Sequence, residues 1–525
     1  MSTRKVKRFQ KKIVVSRAQC YLSIRETDFL EDGKMKNKPS RFPVSLLTLS
    51  LAALASCGGG HTTSSQSMQI VPPTTFDGTA YYDSVFERVN KEEGSTLSFD
   101  EKLNNGKLDD SLWWILDGYW DAGGQTDWHN GVRSRNVKYI QNGSSTYLGI
   151  RGRGNYCQDT DMVTAKQGRI KAEGGVIMSK NFLKPGRFEI NMRPMPREGG
   201  VTAMWTYYCA TGNEETSQNE IDIELGGDGQ YTNQWCTTWT THSMKETQNV
   251  DVTKIGYLND GRFHKFTFDW YTDYQGSGKT WIDWFIDGIL IQSIDGDAVP
   301  TTAMPLWIGL WLPSWAGNPY FDTDYMIVKE ISYVEFDSTS QYCDEARGNP
   351  SYSHKSPSEI APESVSYAET NHIEKLSNAN FETMDIAKAD DSYFGWKREE
   401  SSMGNTILES NDGDHYFTLN AANSTEEYHG EYLGQDVSLL YPRTKAKFKI
   451  DAKLKDTASS GNIEISYRKA SGKTIGKTEV IPVSSTDWNV ISKDLIVPEG
   501  ASTIHMVITS EEGGVSYNNA SLKLA

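Results

Sequence analysis

Three carboxylates at alternate positions, Glu220, Asp222 and Glu224, carry the densest chemistry in this 525-residue chain. They stand in Asn219-Glu220-Ile221-Asp222-Ile223-Glu224-Leu225, just before Gly226 and Gly227. Alternation has the period of a β-strand, so Ile221 and Ile223 face one side and the three acids the other. The isoleucines suit a core. Three like charges on one ladder destabilise it unless something pairs or uses them. One reading is an acidic edge strand that resists aggregation; the other is a functional site. Two carboxyl groups suffice for retaining glycoside hydrolysis. One attacks the anomeric carbon; the other, about 5–5.5 Å away, protonates the leaving oxygen and then activates water. Glu220 and Glu224 are about 13 Å apart along an extended strand, so sheet curvature and inward-leaning side chains must close that gap. Asp222, between them, can share a proton or hydrogen bond with Glu220. Crowding favours protonation of one member of such a coupled set, which suits an acid.

A rigid strand framework must position these acids, and residues 79–336 supply one. Gly186–Arg193, His264–Trp270 and Trp281–Gly288 read as strands, separated by turn signals such as Asn259-Asp260-Gly261. Long helical periodicity is absent, so the region reads as an all-β sandwich. Residues 337–373, rich in Ser, Pro and Glu, read as a linker. Residues 374–525 read as a second, smaller β-sandwich; Ala446–Leu454 alternates without fault over nine residues.

Ahead of the framework lies a targeting segment, residues 1–57. Lys36, Lys38 and Arg41 precede an apolar run from Val44 to Ala55 that is too short for an ordinary membrane span and reads as a signal peptide. The run ends in Leu54-Ala55-Ser56-Cys57, which resembles a bacterial lipobox, so Cys57 is the expected lipidation site; Met35 is a better start than Met1. Residues 58–78 form a polar tether with Pro72-Pro73. The expectation is an exported lipoprotein anchored to a bacterial outer membrane, at the cell surface or in the periplasm. Cys157, Cys209, Cys236 and Cys343 remain: Cys209 and Cys236 flank the acidic strand, and either a cross-strand disulfide or buried free thiols fits their placement.

Composition narrows the partners. Residues 1–56 hold 12 Lys/Arg against 4 Asp/Glu, so the rest of the chain is more acidic than the overall net charge of −16. Such a body repels phosphate backbones, which argues against nucleic acid. Thirteen of the 15 Trp fall between Trp113 and Trp315, pointing to one region that handles flat, partly apolar ligands. Gly276-Ser277-Gly278-Lys279-Thr280 imitates a phosphate loop, but Asp273 stands where the pattern needs Gly and strands flank it, so it reads as a hairpin turn. His242, His264 and His505 lack a neighbouring His at ligand spacing and read as structural; no CxxC spacing suggests zinc.

Glu-Ile-Asp-Ile-Glu resembles the signature of family-16 glycoside hydrolases. The spacing without an extra residue resembles the branch with lichenases and xyloglucan transglycosylases, whereas laminarinases and marine-galactan enzymes more often carry a bulged Glu-x-Asp-x-x-Glu. Over about 260 residues the flanks are similar as well: Gly186-Arg187-Phe188-Glu189 with Met192-Arg193-Pro194, Ala203-Met204-Trp205-Thr206-Tyr207, Phe263–Trp270, Trp284–Gly288, Pro300–Pro305 and Leu310-Trp311 follow in the family's order. The resemblance implies a concanavalin-like β-jelly-roll with a long cleft and retaining chemistry, with Glu220 as nucleophile, Asp222 as its assistant and Glu224 as general acid/base. It implies Glu189 as a polar substrate partner. Trp205, Tyr207, Trp239, Trp311 and Trp315 are the candidate stacking platforms for pyranose rings, whereas Trp270 and Trp284 read as core. The departures are Gln218 in place of an aromatic two residues before the nucleophile, Asn191 in place of a basic residue, and the segment Gln234–Trp239. The substrate expected is β-glucan, mixed-linkage β-1,3-1,4-glucan first, cleaved internally by a monomer with no required cofactor. Family sandwiches often hold a structural calcium, for which no local motif appears. Residues 374–525 are similar to carbohydrate-binding jelly rolls, and binding and spacer roles both fit. The rivals are a transglycosylase and a non-catalytic glycan-binding lipoprotein; both carboxylates being intact argues against the latter.

Overall fold

The computed structural model describes residues 96–524 except 104, 119–128, 158, 165–169, 196, 227–232, 242–243, 253–254, 256–257, 259–260, 273–277, 318, 337–351, 361–363, 372, 382–391, 394, 424–428, 439–444, 470–471 and 502. The leader, the tether, Cys57, His242 and Cys343 therefore lie outside the described residues. Eighteen strands build the first sandwich. In chain order they are β1 (Thr96–Glu101), β2 (Trp113–Leu116), β3 (His129–Val132), β4 (Val137–Asn142), β5 (Ser145–Arg153), β6 (Ala172–Ser179), β7 (Gly186–Arg193), β8 (Val201–Cys209) and β9 (Gln218–Leu225). They continue with β10 (Asn233–Thr241), β11 (Met244–Asp251), β12 (His264–Tyr271), β13 (Trp281–Ile286), β14 (Ile289–Asp295), β15 (Leu306–Trp311), β16 (Thr323–Glu335), β17 (His354–Lys355) and β18 (Ser364–Ser366). One short helix, α1 (Glu214–Ser217), precedes the acidic strand β9, and a second, α2 (Tyr367–Asn371), follows β18.

These strands form two layers. One runs β17-β2-β6-β15-β8-β9-β10-β11. The other is centred on β5-β16-β7-β12-β13-β14. The Arg153↔Glu173 pair between β5 and β6 links them. The all-β sandwich expected from the alternation is what the chain adopts. Alternation also explains the core. Phe188, Ile190 and Met192 of β7, Phe266, Phe268 and Trp270 of β12, and Ile221 and Ile223 of β9 all point between the layers and are fully buried. Each such side chain contributes roughly 1.5–3 kcal/mol. Trp270 and Trp284 are core, as read from the sequence, but they are not inert. The Trp270 indole donates to the Pro300 carbonyl at 2.8 Å, and that of Trp284 donates to the Asp222 carbonyl at 3.0 Å, pinning the acidic strand from beneath.

The first layer's outward face carries a second hydrophobic cluster that includes Leu116, Val176, Met178, Ala203, Trp205 and Trp307. On the outward face of the other layer, Arg187 and Asp269 meet across β7 and β12 through two hydrogen bonds of 2.7 and 2.6 Å, both side chains buried.

Residues 352–371 differ from the expected linker wherever they are described. β17 pairs antiparallel with β2, β18 pairs parallel with β4, and the Tyr367 ring packs near Tyr147 and Phe263. Ser/Pro/Glu composition misled here: Ser356 and Glu359 form a capping box around buried Pro357, so these residues punctuate ordered structure.

The second sandwich pairs a six-stranded and a five-stranded antiparallel sheet around its own core, including Trp396, Phe417, Phe448 and Tyr517. It is joined to the first by a buried ionic cluster, in which Asp324 receives Arg197 at 2.8 Å and Lys375 at 2.7 Å. His264 and His505 hold Asp287 and Asp436 at 2.7 and 2.8 Å, consistent with structural roles. Gly276 and Ser277 of the expected hairpin turn lie outside the described residues; the strands before and after it, β12 and β13, pair antiparallel.

A cross-strand Cys209–Cys236 bond is not formed. Cys157, Cys209 and Cys236 are free thiols. Cys236 faces the core from β10, whereas Cys209 lies at the end of β8 with its sulfur 3.3 Å from the Ser217 hydroxyl; β9 separates the two strands.

Candidate active site

β9 does what its alternation requires. With Ile221 and Ile223 in the core, Glu220, Asp222 and Glu224 are left on the outward face. Neighbouring strands then set their surroundings by register. Glu220 lies opposite Tyr207 of β8 and Trp239 of β10; Asp222 lies opposite Trp205 and Thr237; Glu224 lies opposite Ala203 and Trp235. The acids therefore sit mid-sheet, flanked on both sides, which rules out the edge-strand reading. Glu220 and Glu224 are half-buried and Asp222 is buried.

Glu220 is the electrostatic focus. Gln218, on the same face two residues earlier, donates from Nε2 to Glu220 Oε2 at 2.6 Å, and Asp222 adds a side-chain hydrogen bond. Burial outweighs both. Together with the charges of Glu224 and Glu214 it pushes the Glu220 carboxyl up to about 8. Glu214 comes from α1, in the Cys209–Gln218 segment, and accepts a long 3.5 Å hydrogen bond from the Tyr207 hydroxyl. The coupled acids thus retain a proton near neutrality. That arrangement can place one ionised carboxylate beside one protonated carboxylic acid.

Aromatics extend from the acids. Trp205 stacks on Trp307 of β15 with centroids 5.8 Å apart, and Tyr207 meets Trp307 edge-on at 6.0 Å. Trp315, in the 3-10 turn Ser314–Ala316, stacks on Trp235 at 5.0 Å and abuts Trp311 at 5.6 Å. Gly309 keeps the floor low between Trp307 and Trp311, because a Cβ there would lie 2.4 Å from Val176 Cγ2. Of the residues expected from the sequence, Trp205, Tyr207, Trp239, Trp311 and Trp315 all lie on this layer or its adjoining turn. Trp205 is itself buried, at 4% exposure, so it backs the floor more than it faces solvent.

Glu189 is placed elsewhere. It lies on β7 in the other layer, on the face turned away from the core, where Lys265 pairs with it at 2.8 Å and Thr267 donates at 3.3 Å. Period 2 explains the placement: Phe188 and Ile190 take the core positions, so Glu189 cannot reach the face bearing Glu220. The substrate contact implied for it is not formed by this geometry.

Sequence reasoning missed Trp235, Trp307, Tyr352 and Glu214. The first two were within reach, because alternation from Trp239 back to Trp235 and from Trp311 back to Trp307 keeps each pair on one face. Glu214 and Tyr352 come from connecting segments, and no local signal marks them. Among the described residues, no group of three His, Cys, Asp or Glu side chains is placed to hold a metal.

Residues 125–326 match the model of the glycosyl hydrolases family 16. Similar curated proteins are a xylanase/beta-glucanase of Ruminococcus flavefaciens, 28% identical over 27% of this chain and 16% of its own, and a beta-glucanase of Acetivibrio thermocellus, 26% identical over 32% and 47%. A beta-glucanase of Bacillus licheniformis is 28% identical over 25% and 51%. The chain spans about half or less of the length of these relatives. Among solved structures, a Bacillus licheniformis beta-glucanase aligns with 46% of this chain and 97% of its own at 23% identity and a TM-score of 0.35. A laminarinase catalytic domain from Thermotoga petrophila aligns with 46% and 99% at 16% identity and a TM-score of 0.37. The sandwich that carries Glu220, Asp222 and Glu224 is therefore similar, over residues 125–326, to the glycosyl hydrolases of family 16.

Proposed function

We propose that this protein is a retaining endo-β-glucanase that cleaves mixed-linkage β-1,3-1,4-glucan. The observation that carries the reading is the outward triad of β9: three acids on one face, with Glu220 held by Gln218 and Asp222 and flanked by Tyr207 and Trp239. In the first step the proton shared among the coupled acids rests on Glu224, leaving Glu220 ionised to attack the anomeric carbon; the glycosidic C–O bond breaks, and Glu224 gives that proton to the leaving oxygen. In the second, Glu224 takes a proton from water as the water oxygen displaces Glu220, restoring both carboxyl groups. Asp222 orients Glu220 and shares its proton, and the Trp235–Trp315–Trp311 group offers flat faces to the C–H patches of the sugars. The preference for mixed linkages is supported by the unbulged Glu-x-Asp-x-Glu spacing and by the beta-glucanases among the similar proteins. The basic and apolar leader ending at Cys57 supports display of the enzyme as a lipoprotein facing its polymer.

The test incubates the full chain and its Glu220→Gln and Glu224→Gln variants with mixed-linkage glucan, laminarin, xyloglucan and agarose, sizing products over time. Rapid loss of viscosity on mixed-linkage glucan, absent in both variants, supports the reading. Wild-type-like hydrolysis by Glu220→Gln sinks the mechanism, and faster cleavage of another polymer sinks the substrate assignment.

A further inference from the structure

The segment that follows the first sandwich is built into the wall of the acidic face. β17 adds an outer strand beside β2, with Asp117 N–H donating to the Ser353 carbonyl at 2.9 Å and Lys355 pairing with Asp117 at 3.1 Å. Beyond it the Ser358 N–H donates to Asp110 at 2.8 Å, and Pro357 is buried. Main-chain pairing and capping thus hold this stretch in one register, and they fix what lies just before it.

That residue is Tyr352. Its ring meets Trp307 edge-on at 4.8 Å, and Trp307 stacks on Trp205, which lies opposite Asp222. A continuous aromatic strip therefore runs Tyr352–Trp307–Trp205 across the strands toward the acids. Two ranks along, the His354 ring packs tilted against Trp114 at 4.1 Å. The phenol of Tyr352 lies in the field of Glu220 and Glu214 and shares it with Tyr207. Its hydroxyl is partly desolvated yet has no hydrogen-bond partner among the described residues, whereas the buried phenols of Tyr139, Tyr333 and Tyr517 all have one. A purely packing tyrosine would bury the ring and satisfy the hydroxyl. Tyr352 instead stays half-buried with a free donor on the face that carries the chemistry.

We propose that Tyr352 is a substrate-contacting, specificity-determining residue, closing a sugar subsite on the β15 side of the cleaved bond. The ligand is a neutral β-linked glucosyl unit, packed against the ring and hydrogen-bonded by the hydroxyl. The inference rests on the endo-glucanase reading above. It adds to the cleft a wall from outside the matched residues 125–326, so the chain after β16 sets how many sugars the site grips.

The experiment measures kcat and KM separately for the full chain on mixed-linkage oligosaccharides from three to seven units, with cleavage position read by mass spectrometry. Tyr352→Ala should lower kcat/KM about tenfold or more on oligosaccharides long enough to reach the subsite, chiefly through KM, and should shift the preferred cleavage position, while the shortest are little affected. Tyr352→Phe keeps the ring and should lose about two- to tenfold on the long members only. It also covers the case in which the alanine variant folds poorly. Uniform losses across all lengths, or no change in either variant with an active wild type, overturn this inference alone. A wild type inactive on the whole series overturns the glucanase reading and this inference with it.

Discussion

Gln218 is the most informative side chain to change, because it is an unusual neighbour for a carboxylate of this kind and does one identifiable thing. Its Nε2 donates to Glu220 at 2.6 Å while its Oε1, buried, has no partner among the described residues. A hydrogen bond to a charged acceptor contributes about 1.5–3 kcal/mol. At 1.36 kcal/mol per pKa unit, Gln218→Leu should raise the titration of the Glu220 cluster by about one to two units. The sign follows from the acceptor: the bond favours ionised Glu220, and its loss favours the protonated form that cannot attack. The acid limb of kcat/KM therefore moves to higher pH, and below that limb the rate falls about 10- to 100-fold. Stability should stay near wild type, because leucine fills similar space and removes an orphaned carbonyl oxygen whose desolvation itself costs about 1–3 kcal/mol. The assay is a pH–rate profile of kcat/KM on mixed-linkage glucan, with thermal melts in parallel. An acid limb that stays in place, or moves to lower pH, refutes the assigned role of Gln218 and the electrostatic account of Glu220.

Other perturbations have equally defined signs. Glu220 is raised from an ordinary 4.5 to about 8, so its neutral form favours folding: the contribution is present below 4.5 and lost as pH rises through 8. Glu220→Gln should therefore match the wild type in melts near pH 4 and exceed it above pH 8, by up to a few kcal/mol. Asp324 is lowered from 3.8 to about 2 by Lys375 and Arg197, so its stabilisation is present above 3.8 and disappears as pH falls to 2. Asp324→Asn should melt well below wild type at pH 7, with the gap closing by about 2 kcal/mol across that acid window. Arg187→Met strands Asp269 buried without its bidentate partner and should cost about 3–5 kcal/mol in denaturant titrations.

Legibility in the sequence followed the range of the interactions. Alternation alone placed Ile221 and Ile223 inside and the three acids outside, because side-chain direction in a strand is set residue by residue. The same rule, pressed further, would have found Trp235 and Trp307 and would have removed Glu189, whose neighbours Phe188 and Ile190 claim the core. Tyr352 was out of reach: its place depends on β17 pairing with β2, more than two hundred residues earlier, and on turn chemistry hidden in a Ser/Pro/Glu-rich stretch. The cysteines were open in the sequence between a Cys209–Cys236 bond and free thiols, and strand order decides it: the two residues sit two strands apart in the sheet, with only Cys236 turned into the core.

The central claim is that Glu220 and Glu224 act by double displacement on a β-glucan. Proton NMR of the first-formed anomer, recorded within seconds to minutes of adding full-length protein to mixed-linkage glucan, tests it most directly. Two successive inversions at one carbon return the β configuration, so the β-anomer signal should appear first and decay to the mutarotation mixture. Appearance of the α-anomer first would mean a single displacement and would contradict the roles assigned to both residues.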